Sequence, residues 1–390
     1  FATQKFEAEY AEIRAQHLSK TMLTLKENRV EAAKQGIENG AALRVLVKGA
    51  WGFASVGTLN VETLTDAVSD ACKMAKAAGL RLKTPIKLGE TRPVEDKVVA
   101  KPQKNPSQIQ VKDKINTMSS LSKTILDHDS RIKGCTVDYF DLAGTDYFMS
   151  NEGSYIEQDK LYVWSGISAI AKEADVFAFS REEVGSTNGY EVFDVNPPEV
   201  VGEMVAKRAI GQLKAKLPKG GTFPAVLGPN VVGVFVHEAF GHLAEADLTL
   251  SGSILLDKFG KKIASDLVTF YDDGTINGAL GSCKYDDEGI LTQKTLLVKD
   301  GFVVGLLHNR ETAQKLGAKP TGNARAEDFR VEPIIRMRNT FMAPRDRSFE
   351  ELIEEIKFGY YLKRFRGGQA NLDGTFQVGL QEAYDIVKGQ

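Results

Sequence analysis

A chain of 390 residues with 42% hydrophobic and 26% charged side chains has the balance of a soluble globular protein with a large core and two or three domains. Fifty basic side chains face 52 acidic ones, and a net charge of −2 argues against direct binding to nucleic acid or to an anionic membrane. Three cysteines without a CxxC pair argue against a disulfide framework and favour a reducing compartment. The sequence shows no apolar run of membrane-spanning length and no signal peptide, so we predict a cytoplasmic protein.

The first third of the chain begins with strand-like segments. Residues 1–60 are predicted to form strands joined by turns, with a hairpin turn at Lys48-Gly49. A helix with helical spacing of apolar residues is predicted from Val61 to Gly79, and Asn60 is its expected cap. A second amphipathic helix follows, and its apolar face is formed by Val111, Ile115, Met118, Leu121 and Ile125.

Between and after these helices the pattern changes twice. Residues 83–109 are rich in Pro, Lys and Gln and are predicted to be a connecting loop. Residues 133–193 alternate in four short segments, which indicates an antiparallel sheet with a turn at residues 151–153. A helix is then predicted from Pro198 to about Leu213.

The second half of the chain is predicted to be richer in short strands. The Pro- and Gly-containing stretch at 215–222 is the expected domain boundary, which gives an N-terminal α+β domain (1–215) and a C-terminal β-rich domain (216–390). The basic run at 357–368 is interpreted as a helix end and loop, and 382–390 as one hairpin strand whose partner is missing. Both chain ends therefore look cut. The predicted fold class is α+β, with mostly antiparallel sheets and a few amphipathic helices.

The most informative stretch is VFVHEAFGHLAEAD, residues 234–247. His237 and His242 are five residues apart, so on a regular α-helix their directions differ by about 140° and they cannot face one ion. Either a one-residue π bulge or a break before His242 would bring both rings to the same face. Gly241 suits both solutions because glycine tolerates unusual backbone angles.

The chemistry of these residues fits a metal site. A neutral imidazole emerging from the apolar run before His237 is a good zinc ligand, and Glu238 would lie beside a metal-activated water. Glu245 and Asp247 remain open as further ligands, as partners of the ligands, or as surface acids. The alternative is a helix with one core histidine and one exposed histidine.

At this point the sequence resembles the TldD/PmbA family of zinc peptidases, specifically its TldD-type subunit. The resemblance extends in order along nearly the whole chain. Its landmarks are GAALRVLVKGAWGFAS (40–55), HEAFGHLAEAD (237–247), TFYDDGT (269–275), YDDEG (285–289), PTGNAR (320–325), RMRNTFM (336–342), RGGQ (366–369) and EAY (382–384).

The resemblance implies that His237 and His242 bind Zn²⁺ and that Glu238 is the general base. The family's third ligand is a cysteine in a C-terminal segment that this sequence does not contain, so the C-terminal domain is expected to be truncated. Cys283 and His308 are weaker candidates for that ligand, and Cys72 is expected to pack in the core. Without a third ligand, this form is expected to bind metal poorly and to be inactive.

The implied function is a zinc-dependent peptidase that hydrolyses unfolded or small peptides by metal-activated water. The implied partners are peptide substrates and either a PmbA-type subunit or a second copy, as a heterodimer or a homodimer. The alternative is a non-catalytic scaffold or partner subunit with a vestigial or structural metal site. The glycines of PTGNAR and RGGQ are interpreted either as lining a substrate groove or as loop formers, and YDDEG as a turn.

Overall fold

The computed structural model describes residues 1–390, and it confirms an α+β fold with mostly antiparallel sheets. The helices are α1 (Ala2–Phe6), α2 (Val61–Gly79), α3 (Val111–His128), α4 (Val192–Val195), α5 (Pro198–Gln212), α6 (Pro229–Val236), α7 (Ala246–Leu250), α8 (Arg310–Leu316) and α9 (Phe349–Glu354). The strands of the first half are β1 (Tyr10–Lys26), β2 (Arg29–Val47), β3 (Ala50–Val56), β4 (Glu95–Val98), β5 (Ile132–Ser150), β6 (Tyr155–Glu173) and β7 (Val176–Ser186). Those of the second half are β8 (Ala225–Leu227), β9 (Phe270–Asp273), β10 (Lys294–Lys299), β11 (Phe302–Val303), β12 (Ala324–Arg325), β13 (Ile334–Ile335), β14 (Thr340–Met342), β15 (Phe358–Ala370) and β16 (Phe376–Val387).

A seven-stranded sheet organises the first half of the chain. Its order is β3-β2-β1-β5-β6-β4, and β7 also pairs with β6. The predicted hairpin between β2 and β3 is present, and Lys48 and Gly49 both have the positive φ that such a turn requires. The helices α3 and α5 pack on this sheet, and together they form the largest apolar core of the molecule. The predicted helices over 61–79, 111–125 and 198–213 are therefore confirmed.

The four short strands predicted between 133 and 193 are three long ones. β5 runs without a break through two of the predicted segments, because it lies in the middle of the sheet and pairs with β1 on one side and β6 on the other. The loop predicted at 83–109 contains the short strand β4, which pairs in parallel with β6. Both β5 and β4 depend on main-chain pairing with a neighbouring strand. The periodicity of a single sequence does not report such pairing, so both were predicted differently.

Two predictions about the end of the chain were wrong. The run at 357–368 is not a helix end and loop but most of β15, and β16 has its hairpin partner in β15. Register shifts between Leu362 and Gly367 break the two-residue alternation by which a strand is recognised. On its other side β15 pairs in parallel with β8, and this three-stranded sheet lies against the segment that follows α6.

The second half of the chain has its own core. Residues from α6, from the segment after it, and from β9, β10 and β13 form a cluster of buried apolar side chains that includes Val236, Phe240 and Leu297. The division of the chain at 215/216 stays a prediction. None of the helices is both long and apolar enough to cross a lipid bilayer.

The two halves are joined by a buried ionic group, which we call the docking network: Glu12, Arg44 and Glu288. Arg44 of β2 donates from Nε to Glu12 of β1 at 2.7 Å, and from a terminal nitrogen to Glu288 at 2.7 Å. Glu288 belongs to the YDDEG turn, and all three side chains are at most 6% exposed. The turn predicted at 285–289 is therefore also the contact through which the second half of the chain docks on the large sheet.

Candidate metal centre

The helix α6 ends directly before the segment that carries His237 and His242. It begins with Pro229 at its first turn, buries Val231 and Val236, and contributes Val236 to the second core. From His237 to Gly241 the backbone forms a π turn, and the N–H of His242 donates to the carbonyl of His237. The predicted π bulge is thus present. It brings the ring centroids of His237 and His242 to 4.5 Å from each other.

Gly241 is required for a reason that the sequence did not suggest. Its φ of −55° and ψ of −52° are ordinary helical values, so the predicted need for unusual backbone angles was wrong. A Cβ at this position would lie 2.1 Å from the Sδ of Met337. Glycine therefore leaves room for Met337, the second residue after β13, which packs directly against the π turn.

The two imidazoles have opposite electrostatic environments. Burial, followed by the nearby charges of His242, Arg325 and Arg336, lowers the pKa of His237 to about 4. A hydrogen bond with Glu245 raises the pKa of His242, because the carboxylate favours the imidazolium form. At neutral pH His237 is consequently uncharged, with a nitrogen lone pair free for a ligand.

Glu245 is fully buried and contacts the His242 ring at Nδ1. Its Oε2 lies 3.4 Å from Nδ1 of His242 and accepts a hydrogen bond from Arg336 at 3.1 Å. Its Oε1 is buried and has no hydrogen-bond partner. Of the three roles left open for Glu245, the geometry matches a partner of the histidine. Asp247 instead accepts the backbone N–H of Leu248 at the start of α7.

Glu238 is 8% exposed and accepts no hydrogen bond from the protein. The strand β15 closes over it at Gly368, where a Cβ would lie 2.8 Å from its Oε1. The RGGQ landmark therefore brings backbone against the carboxylate rather than forming a loop. Paired glycines inside a strand are the sequence signal that could have indicated this close approach.

His237, Glu238 and His242, which we call the His–Glu cluster, are the one group of potential metal ligands in the molecule. Their ligand atoms all lie within 4.8 Å of one another. Two imidazole nitrogens are ligands that zinc uses in proteins, and a carboxylate beside them can act on the water of such a site, so these residues fit the ion. Cys283 and His308 do not join the group. Cys72 is buried in an apolar cluster, as predicted.

A cleft of about 1200 Å³ lies between the large sheet and the second half of the chain, and no residue of the His–Glu cluster lines it. Its walls include Lys160 and Tyr162 of β6 and the segment from 274 to 287. Arg336 lines this cleft and also contacts Glu245, so it joins the cleft to the histidine pair. No sequence pattern indicated this link, because Arg336 and Glu245 are distant in the chain.

Comparison with known proteins gives matches along most of the chain. Residues 11–75 match PmbA/TldA metallopeptidase domain 1, residues 104–213 match the central domain, and residues 220–390 match the C-terminal domain. A metalloprotease of Methanocaldococcus jannaschii is 38% identical over 98% of this chain and 84% of its own length. A protein named zinc metalloprotease TldD homolog, from Saccharolobus solfataricus, is 32% identical over 98% of this chain and 83% of its own length. The fold is similar to the crystal structure of TldE from Thermococcus kodakarensis, with a TM-score of 0.78 and 21% identity, over 99% of this chain and 86% of that one.

Proposed function

Because the chain belongs to the PmbA/TldD metallopeptidase family, we propose that it is a zinc-dependent peptidase whose reactive centre is the His–Glu cluster. The observation that carries the proposal is the π turn, which places two imidazoles and a buried carboxylate within 4.8 Å of one another. In this proposal His237 and His242 hold the zinc ion and Glu238 is the general base. Zinc in such a site supplies Lewis acidity, which polarises a peptide carbonyl and acidifies a water molecule.

In this proposal the two histidines of the cluster have different roles. His237 is kept neutral by burial, so that its nitrogen offers a lone pair across the neutral pH range. Glu245 contacts His242 at Nδ1, which leaves Nε2 as the nitrogen that would hold the ion. This contact orients the His242 ring before any ligand binds.

Glu238 carries the proton transfer in this mechanism. It accepts no hydrogen bond from the protein, so its oxygens are free to take a proton from the attacking water. The same carboxyl group then donates that proton to the amine that leaves. Backbone packed at Gly368 limits the positions that the carboxylate can adopt and keeps bulk water from one side.

The proposal also covers the substrates, the partner and the location of the protein. We infer that the substrates are unfolded or small peptides, that the chain works with a PmbA-type subunit or a second copy of itself, and that it is cytoplasmic. Support for a partner comes from the similarity of the fold to TldE and from the relative named as a TldD homolog.

Substitution of Glu238 by Gln tests the function against the scaffold alternative. The variant keeps the shape of the side chain and both histidines, so we expect unchanged zinc content and a loss of peptide cleavage of about 10²-fold or more. Zinc per chain is measured by elemental analysis, and cleavage is measured on an unstructured peptide with and without added zinc.

The matched control is Asp247→Asn, which removes one charge nearby and preserves the capping oxygen that Leu248 uses. Equal cleavage by wild type and Glu238→Gln would contradict the general-base role. Bound zinc without cleavage in the wild type would favour the scaffold.

A further inference from the structure

Three arginines meet where the cleft approaches the His–Glu cluster. Arg325 is the last residue of β12, and it pairs with Ile334 of β13. Arg336 follows directly after β13, and Arg338 lies two residues further on. All three line the cleft. The short β12–β13 ladder therefore gathers three guanidinium groups from two segments into one region.

Only one ion pair joins these arginines to a carboxylate. The guanidinium group of Arg338 donates to the carbonyls of Gly322 and Ala324, at 3.0 and 3.1 Å, while its backbone N–H donates to Asp272. Arg336 pairs with Glu245. The side chain of Arg325 opens to the cleft and makes neither a hydrogen bond nor an ion pair. Desolvation by the cleft walls and the charges of Arg338 and Arg336 lower the pKa of Arg325, and the charge of Asp287 opposes them.

Most acids of the cleft are already occupied elsewhere. Asp146 pairs with Lys160 at 2.9 Å, and Asp159 accepts the backbone N–H of Ala100 at 3.1 Å. Asp286 and Asp287 accept backbone N–H groups that hold the YDDEG turn and the strand β12 in place. Glu327 and Glu332 also line the cleft and are exposed without ion pairs, so they are the internal competitors for Arg325.

The arginines also contact the metal centre and affect its charge. Arg336 contacts Glu245, which in turn contacts His242. Arg325 and Arg336 are both close enough to His237 to contribute to its lowered pKa. The positive end of the cleft is therefore the end that adjoins the histidine pair.

We propose that Arg325, Arg336 and Arg338 form an anion subsite that holds a carboxylate group of the bound peptide, at the end of the cleft next to the His–Glu cluster. A guanidinium group presents parallel N–H donors that match the two oxygens of a carboxylate, and Arg325 has all of its donors free. The carboxylate belongs either to the C-terminus of the peptide or to an acidic side chain. This inference deepens the proposed peptidase function and rests on it.

The test measures binding without turnover. The probes are three versions of one neutral peptide that carries an uncharged fluorophore: with a free C-terminal carboxylate, with a C-terminal amide, and with the amide and one internal glutamate. Their affinities are measured by fluorescence anisotropy in the Glu238→Gln background with EDTA present, so that neither a metal ion nor cleavage contributes. Arg325→Gln is the test variant, because its side chain has no partner whose loss would disturb the fold.

The matched control is Arg330→Gln, which removes the same charge from the same segment outside the cleft. Arg330 is exposed and pairs with Asp328 and Glu38. We expect Arg325→Gln to weaken binding of the carboxylate-bearing probes about tenfold, as for loss of a charged hydrogen-bond pair, and to leave the amide probe unchanged. Arg330→Gln should leave all three affinities unchanged.

Preference for the free C-terminus assigns the subsite to the peptide end, and preference for the internal glutamate assigns it to an acidic side chain. Equal affinity for all three probes, or equal loss in both arginine variants, would overturn the subsite. This result is separate from the fate of the proposed function. Carboxylate-selective, Arg325-dependent binding by a protein that cleaves nothing would leave a peptide-binding site, whereas cleavage without such selectivity would leave a peptidase without this subsite.

Discussion

The docking network and the His–Glu cluster are both buried groups of ionisable side chains, yet their hydrogen bonding differs. In the docking network every carboxylate oxygen has a donor. Glu12 accepts from Arg44 and from the hydroxyl of Tyr10, and Glu288 accepts from Arg44 and from the backbone N–H of Arg310.

Beside the histidines, by contrast, some carboxylate oxygens have no hydrogen-bond donor. Glu238 accepts no hydrogen bond, and Oε1 of Glu245 is buried without a partner. A buried polar group without a partner is costly, so a fold retains one where something other than stability requires it. In this comparison the fully satisfied carboxylates join two parts of the molecule, whereas the incompletely satisfied ones lie at the proposed metal centre.

The largest effect is expected in the docking network. Arg44→Met leaves Glu12 and Glu288 buried without their cation, and breaking a buried ion pair in this way destabilises a protein by about 3–5 kcal/mol. The free energy of unfolding is measured by urea denaturation. The control is Lys73→Met, which removes a cation from an exposed pair with Asp70 and should change stability by less than about 1 kcal/mol. Similar midpoints for both variants would mean that the network does not hold the halves together.

A buried histidine outside both groups gives the second largest effect. Burial lowers the pKa of His308 to about 4, from an ordinary value of 6.5. Between these two pH values the unfolded chain binds a proton that the folded chain does not, so stability falls as the pH is lowered.

His308→Asn removes this contribution, and it should flatten the loss of stability between about pH 7 and about pH 4 by up to about 3 kcal/mol. The measurement is a series of urea midpoints against pH. The exposed His128→Asn is the control and should keep the wild-type slope. An unchanged slope in His308→Asn would show that this imidazole does not titrate as a buried group.

The smallest effect tests the partner of the metal centre. Glu245→Gln keeps the volume of the side chain but weakens its hold on His242, and loss of such a partner typically lowers metal affinity by about 10–100-fold. Zinc affinity is measured by competition with a chromophoric chelator, with Asp247→Asn as the control. If both variants bind zinc as the wild type does, Glu245 serves the fold rather than the ion, and the contrast between the two groups loses its functional meaning.

Local signals in the sequence predicted most of the fold. The cap at Asn60, the apolar face of α3 and the turn at Lys48-Gly49 depend on residues close in the chain, and all three are present. β15 was missed because its bulges break the alternation, and β4 was missed because it is short and depends on β6 for its pairing.

In the candidate site, too, local features were predicted and long-range contacts were not. The spacing of His237 and His242 predicted either a π bulge or a break before His242, and the bulge is present, since the geometry of a helix is a local property. The sequence could not predict that Met337 packs on Gly241 or that Arg336 reaches Glu245. The paired glycines at 367–368 indicate a close approach in β15 but not that Glu238 is the partner. Each of these contacts joins residues roughly a hundred positions apart, and no pattern within one element reports it.

The docking network also bears on how the protein is made. Arg44 meets Glu12 across 32 residues, but it meets Glu288 only across 244, so a ribosome must complete most of the chain before the second contact can form. During that interval the large sheet can fold around its own core, and the Glu12–Arg44 pair keeps part of the surface that awaits the second half charged. Phe148 and Ile156 of the same surface stay uncovered until Tyr285 is made, and because nascent chains that expose apolar surface aggregate, the charged pair beside them reduces that exposure.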